Sequence, residues 1–204
     1  MSAPQPRTTR QSRTPSLVLA SGSPRRLELL RAAGLDPLAR PPDVDEAPRP
    51  GEAPVPYVVR VARDKVRAVP REDGEVVLAA DTTVVIDGEP LGKPADAAHA
   101  ADLLRRLAGS AHHVTTAVAV LDAVGGLTES VVTTEVRMVA LDDAAIAAYV
   151  ATGEPLDKAG AYAIQGRAAA LVERIDGSYT NVVGMPLVET LRLLAAVGVV
   201  PTSG

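Results

Sequence analysis

No cysteine, tryptophan or phenylalanine occurs in the 204 residues, and four tyrosines are the whole aromatic complement. Without cysteine there is no disulfide, no thiolate metal site and no cysteine nucleophile, a composition suited to the cytoplasm. With aromatics at 2%, stacking platforms for single-stranded nucleic acid are scarce. A dominant charge is missing too. The net charge is −4 and no long basic run exists, so no nucleic-acid partner is expected. No apolar run approaches the ~20 residues of a membrane span, so no membrane partner is expected either. What the chain has in quantity is Ala, Val and Leu: hydrophobic residues make up 47%, ample for the core of one domain.

Residues 1–15 carry Arg7, Arg10 and Arg13 among Ser, Thr, Pro and Gln. They lack the apolar middle of a secretory signal and read as a disordered tail, although an Arg-rich, acid-free start leaves an address signal open. Residues 16–200 read as a single domain. Leu17–Ala20 reads as a buried strand, followed by a helix over 24–33. Residues 35–56 hold seven prolines and read as loop with short extended pieces. A second helix covers 55–69. The apolar strand 76–80 ends at Asp81, with 83–86 continuing extended into an Asp87-Gly88 turn. A third helix spans 95–107. The alternating runs 114–120 and 132–138 flank Gly125-Gly126 and predict an antiparallel pair. A helix over 142–151, a strand over 169–175 and a last helix from Pro186 to Ala196 complete the pattern. Helix-linked and hairpin-linked strands together predict an α/β fold with a mixed twisted sheet flanked by helices.

The chemistry begins at Ser21-Gly22-Ser23-Pro24-Arg25-Arg26. A strand, a small-residue turn and a helix start expose free N–H groups at the positive end of a helix. Two guanidiniums in that first turn are unfavourable unless a multiply charged anion, such as phosphate, sits on them. A Ser-capped, Pro-started helix with solvated arginines is the bland alternative. On the second helix, Val58, Val61, Ala62 and Val69 share one stripe with Lys65. Its ammonium either snorkels past the core or enters a polar, anion-holding cavity. Asp81 closes an apolar strand, as an Asx-turn or as a metal ligand or general base. Lys93, between Gly92 and Pro94, is a surface lysine or a phosphate contact. Asp43, Asp45 and Glu46 form a solvated loop cluster or supply an oxygen ligand for Mg²⁺ or Mn²⁺. Gln165, between Gly160 and Gly166, offers the donor and acceptor that reading a base edge requires, or bonds to backbone. The histidines show no metal spacing. Neither G-x-x-x-x-G-K-[ST], G-x-G-x-x-G nor G-x-S-x-G occurs. Cations for a polyphosphate, carboxylates for a divalent metal and no nucleophile suit metal-assisted attack of water on phosphate.

Six ordered segments then carry a family resemblance: Ser21–Arg26, Ala80-Asp81-Thr82, Gly92-Lys93-Pro94, Gly153–Gly160, Ile164-Gln165-Gly166 and Val183–Leu187. The stretch from Leu17 to Ala196 resembles the Maf family of nucleoside triphosphate pyrophosphatases, once linked to septum formation. The resemblance implies a two-lobed α/β fold with a substrate cleft between the lobes. It implies hydrolysis of a nucleoside triphosphate between the α and β phosphates, a divalent cation, and a catalytic role for Asp81. Arg25, Thr82 and Gln165 match the positions that separate the family's branches. They fit the branch acting on dTTP and UTP rather than the one acting on 7-methyl-GTP. Ala79-Ala80 departs from a frequent Gly-Ala, and the Arg-rich tail is extra.

The expected mechanism gives phosphate binding to Ser21, Arg25, Arg26, Lys65 and Lys93. Glu46 and Asp81 hold Mg²⁺ or Mn²⁺, Asp81 acts as the catalytic group, and Thr82 and Gln165 read the pyrimidine. The alternatives are a nucleotide-binding regulator of septum formation with negligible turnover, and a phosphatase acting at the γ position. A homodimer is left open.

Overall fold

The structure, a computed structural model, describes residues 15–201. The tail expectation for residues 1–14 falls outside them. The elements in order are β1 (Ser16–Leu19), α1 (Pro24–Ala32), β2 (Leu38–Ala39), α2 (Pro54–Ala68), β3 (Glu75–Ile86), β4 (Glu89–Leu91), α3 (Ala97–Leu107), β5 (Ala111–Leu121), β6 (Leu127–Met138), α4 (Asp143–Val150), three 3-10 turns (Glu154–Asp157, Ala159–Ala161, Arg167–Leu171), β7 (Val172–Asp176), α5 (Tyr179–Val183) and α6 (Leu187–Ala196). The strands form one mixed sheet in the order β2-β1-β3-β5-β6-β7, with β4 also on β3. β1 pairs in parallel with β2 and β3, and the other pairings are antiparallel.

The parallel end is wound on both faces. Leu30 of α1 and Leu194 of α6 pack with Leu17, Leu19, Val76 and Leu78. Val58, Ala62 and Val66 of α2 pack on the opposite face with Val18, Val77 and Ala79. A third core gathers α3, α4 and the far ends of β3, β5 and β6 around Leu104, Val136 and Met138. The alternation of β3 residues between the first two cores is the period-2 pleat at work. Because β1 leads to β2 on one side and α2 returns the chain to β3 on the other, the β1/β3 boundary is a topological switch point. In such sheets, ligands bind beyond the carboxyl ends of the strands at this position.

Three expectations change. β3 does not stop at Asp81; it runs on to Ile86 as one 12-residue strand. β1 pairs with it only through Leu78 and β4 only from Val84. Asp81 therefore lies mid-strand, beside a gap between two partners, while β5 continues opposite it. Second, the strand expected over 169–175 begins at Val172, because Ala169–Leu171 belong to a 3-10 turn. Third, α5 is an additional helix. Ser178 caps it by accepting from the Asn181 N–H at 3.2 Å, and five residues are too few to show a periodic stripe.

Candidate active site

A cleft of about 480 Å³ opens at the switch point, lined by the Ser21–Arg26 turn, Glu46, Lys65, Asp81, Thr82, Lys93, Lys158 and Gln165, among others. Its volume is that of a small-molecule site. Ser21, Arg25, Arg26, Glu46, Lys65, Asp81, Thr82, Lys93 and Gln165 all line this one space, whereas Asp43 and Asp45 of the acidic loop cluster do not.

The α2 stripe carries Lys65 into the molecule as the periodicity predicted, and the residue is only 4% exposed. Its Nζ donates to Asp81 Oδ1 at 2.8 Å and lies 2.9 Å from Glu46 Oε2. Glu46 reaches this point because the Pro-rich loop is strapped to α2. Tyr57 Oη donates to the Glu46 carbonyl at 2.9 Å, and Arg60 donates to the Ala47 carbonyl at 3.0 Å. Arg60 also pairs with both oxygens of Glu52 at 2.7 Å. Burial pushes the Asp81 carboxyl above its ordinary value, and the nearby Lys65 and Arg26 only partly offset it. Its Oδ2 is buried with no hydrogen-bond partner.

Thr82, next along the strand, points to the opposite face of the sheet. Arg26 binds it there, donating from Nη2 to Thr82 Oγ1 at 3.2 Å, from Nε to the Gly184 carbonyl at 2.9 Å and from Nη1 to Ser21 Oγ at 3.4 Å. Gly184 has φ 118° and ends α5, a conformation that turns its carbonyl towards the guanidinium. Thr82 Oγ1 also bonds Thr116 Oγ1 across the strand pair at 2.9 Å. Ser21 is buried, and its Oγ accepts the Ser23 N–H at 3.1 Å. Adjacent residues of opposite parity can share one cleft because β1 has ended, so the cleft wraps round the unpaired stretch of β3.

Arg25 and Lys93 also line the cleft, and neither makes a hydrogen bond or ion pair with any described residue. Gln165 is exposed to it and likewise makes none. The segment around it is 3-10 turn and coil. Sequence reasoning passed over Lys158, which lines the cleft and donates to the Glu154 carbonyl at 3.2 Å and to Asp157. A lysine between an aspartate and an alanine in a loop gives no periodic signal of its direction.

Among the described residues, no group of three His, Cys, Asp or Glu side chains stands ready for a metal. Three carboxylates line the cleft: Asp157 is held by Lys158, whereas Glu46 and Asp81 meet at Lys65, and Asp81 keeps a buried oxygen that has no partner. That donor set fits a hard divalent cation such as Mg²⁺, which commonly takes one or two carboxylates and completes its shell with phosphate oxygen and water.

The Maf-like protein family matches residues 16–197. A dTTP/UTP pyrophosphatase of Anaeromyxobacter dehalogenans is 57% identical over 187 residues, covering 90% of this chain and 95% of the relative. Others are a dTTP/UTP pyrophosphatase of Geobacter metallireducens, 53% identical over 184 residues (89% of this chain, 96% of the relative), and one of Salmonella typhimurium, 52% identical over 184 residues (88% and 92%). Among solved structures, a nucleoside-triphosphatase / dITP/XTP pyrophosphatase from Mycobacterium abscessus superposes on 60% of this chain and 74% of its own with a TM-score of 0.39 at 19% identity. A family match over residues 16–197 and 57% identity to a relative across 90% of the chain lead to one conclusion: the chain belongs to the Maf-like protein family.

Proposed function

We propose that the protein hydrolyses nucleoside triphosphates, dTTP and UTP foremost, between the α and β phosphates, releasing the monophosphate and pyrophosphate. The observation that carries this reading is the convergence of Lys65, Arg26, Glu46 and Asp81 on one cleft at the switch point. The names of relatives at 57%, 53% and 52% identity support turnover over a silent binding role.

In this reading, Ser21, Arg25, Arg26, Lys65 and Lys93 hold the triphosphate. Arg25 and Lys93 make no hydrogen bond or ion pair with a described residue, although Arg25 lies in the field of Asp157, and both are placed to meet phosphate. Arg26 and Lys65 are already oriented by protein acceptors, so their positions require little reorganisation when charge builds on the leaving pyrophosphate. Asp81 has one oxygen fixed by Lys65 and the other open. The open oxygen orients an attacking water and takes its proton, and the upward shift of the carboxyl brings it closer to the range of a useful base. Glu46 and Asp81 would hold the Mg²⁺ or Mn²⁺, which when bound neutralises phosphate charge and polarises phosphorus. Attack at the α phosphorus then expels pyrophosphate in line. Arg25, Thr82 and Gln165 distinguish the base, Gln165 through an amide that no described residue engages. We assign the reaction to the cytoplasm.

Incubation with dTTP, UTP, CTP, GTP and 7-methyl-GTP, each with Mg²⁺ or Mn²⁺, tests the proposal by product identity. Monophosphate plus pyrophosphate from dTTP and UTP is the expected result. Inorganic phosphate would point to γ-cleavage, and tight binding without product to a regulatory protein.

A further inference from the structure

The segment that brings Gln165 to the cleft is closed by a single carboxylate. Glu154 opens the first 3-10 turn. Its Oε1 accepts from Tyr149 Oη of α4 at 2.8 Å and from the Ala168 N–H at 3.4 Å. Its Oε2 accepts the Arg167 N–H at 2.9 Å. Lys158 Nζ donates to the carbonyl of the same residue. One side chain therefore ties α4, the start of the segment and its end. Between these ties, Lys158, Tyr162, Ile164 and Gln165 face the cleft. The backbone of Gly166 runs so close beneath the carboxylate that a Cβ there would overlap it. Burial pushes the Glu154 carboxyl up, but the N–H groups of Arg167 and Ala168, the Tyr149 hydroxyl and Lys158 outweigh it and hold the group below its ordinary value, charged at neutral pH.

The Gln165 side chain has no partner among the described residues, so its backbone decides where the amide sits. The two N–H groups that follow Gly166 are the ones Glu154 holds. We propose that Glu154 is a positioning residue for base selection: its carboxylate, seated against Gly166, sets the place of Gln165 and so decides which pyrimidine the cleft accepts. The identity of the ligand rests on the function proposed above; the placement of Gln165 does not.

The test compares wild type, Glu154→Gln, Gln165→Ala and the double variant, with Tyr149→Phe as a milder second probe that keeps the core ring. Glu154→Gln keeps the shape but turns an NH₂ group on a buried N–H donor, so KM for dTTP rises about tenfold with kcat little changed. Its preference for dTTP over dCTP falls to that of Gln165→Ala, and the double variant is no worse than the worse single one, because both act through one contact. Tyr149→Phe shifts KM in the same direction by less. Effects that add in the double variant, or a fall in kcat at constant KM, would overturn the proposal. Amide hydrogen exchange on the same proteins gives an independent arm. The Arg167 and Ala168 N–H groups should exchange faster in Glu154→Gln while those of β3 and β5 do not, and unchanged protection at 167–168 would overturn the placement. If wild type released no pyrophosphate from any nucleotide, the hydrolytic reading would fall and the exchange arm alone would decide the role of Glu154.

Discussion

β3 carries two buried carboxylates at different points along its length, and their environments are opposite. Glu75, at the start, receives both arms of the Arg40 guanidinium at 2.6 and 2.7 Å and the Glu72 N–H at 2.9 Å. Arg40 donates also to the Pro70 carbonyl. Both oxygens are engaged, and the bond to Arg40 draws the Glu75 carboxyl below its ordinary value. Asp81, six residues on, has one ammonium on one oxygen, nothing on the other, and a pKa raised by burial. The closed pair fastens β2 to β3. The open pair is left incomplete at the cleft, where a ligand can finish it. Buried charge alone therefore does not mark a site; incomplete satisfaction does.

The largest effect that would sharpen this contrast is on turnover. Asp81→Asn should lower kcat about 10²- to 10⁴-fold while circular dichroism and the melting transition stay near wild type. Near-normal turnover would remove Asp81 from the mechanism and with it the functional half of the comparison. Next comes Lys65→Met, whose side chain suits the apolar stripe of α2. Losing the partner of a buried carboxylate should cost kcat/KM roughly 10- to 100-fold, with binding of triphosphate weakened. Wild-type kinetics would reduce Lys65 to a packing residue. Glu75→Gln should behave in the reverse manner. Stability falls by about 1–3 kcal/mol in urea titration, with kcat and KM unchanged, because Glu75 does not line the cleft.

The smallest effects concern pH. The folded pKa of Glu75 lies below its reference of 4.5. Its contribution to stability is present above 4.5 and is lost as pH falls through the lowered value. Asp81 has a folded pKa above its reference of 3.8. It binds its proton more tightly when folded, so its contribution favours the folded state at low pH and fades as pH rises through the raised value. Acid titration of stability should therefore become shallower in Glu75→Gln and steeper in Asp81→Asn.

Much of the site was legible in residue type and spacing. The α2 stripe put Lys65 on the core face, and a cation there demanded an anion. Asp81 stood out because a carboxylate after five apolar residues is costly without a role. Its setting differs from the expectation because an Asp after an apolar run reads as a strand end or Asx-turn, whereas the pairing with β5 carries the strand through. Ala169–Leu171 misled for a similar reason. Three apolar residues before Val172 look extended, yet hydrogen bonding from the Ala169 N–H to Gly166 O winds them into a 3-10 turn. Glu154 lies in the Gly153–Gly160 segment that carries the family resemblance, but nothing local showed its role, since its partners Arg167 and Ala168 lie a loop away in sequence.

The sequence by itself determined most of the longer elements and the inventory: which helix has an apolar stripe, where cations and carboxylates occur, and that cysteine chemistry is impossible. Those are local properties, set by the side-chain period and by composition. Only the tertiary structure decided that β1 stops short of Asp81, that Arg26 and Lys65 reach the same cleft from opposite faces of the sheet, and that Glu154 closes the segment bearing Gln165. Each of these depends on strand pairing or on contacts between residues far apart in the chain, where distance is fixed by packing rather than by sequence separation.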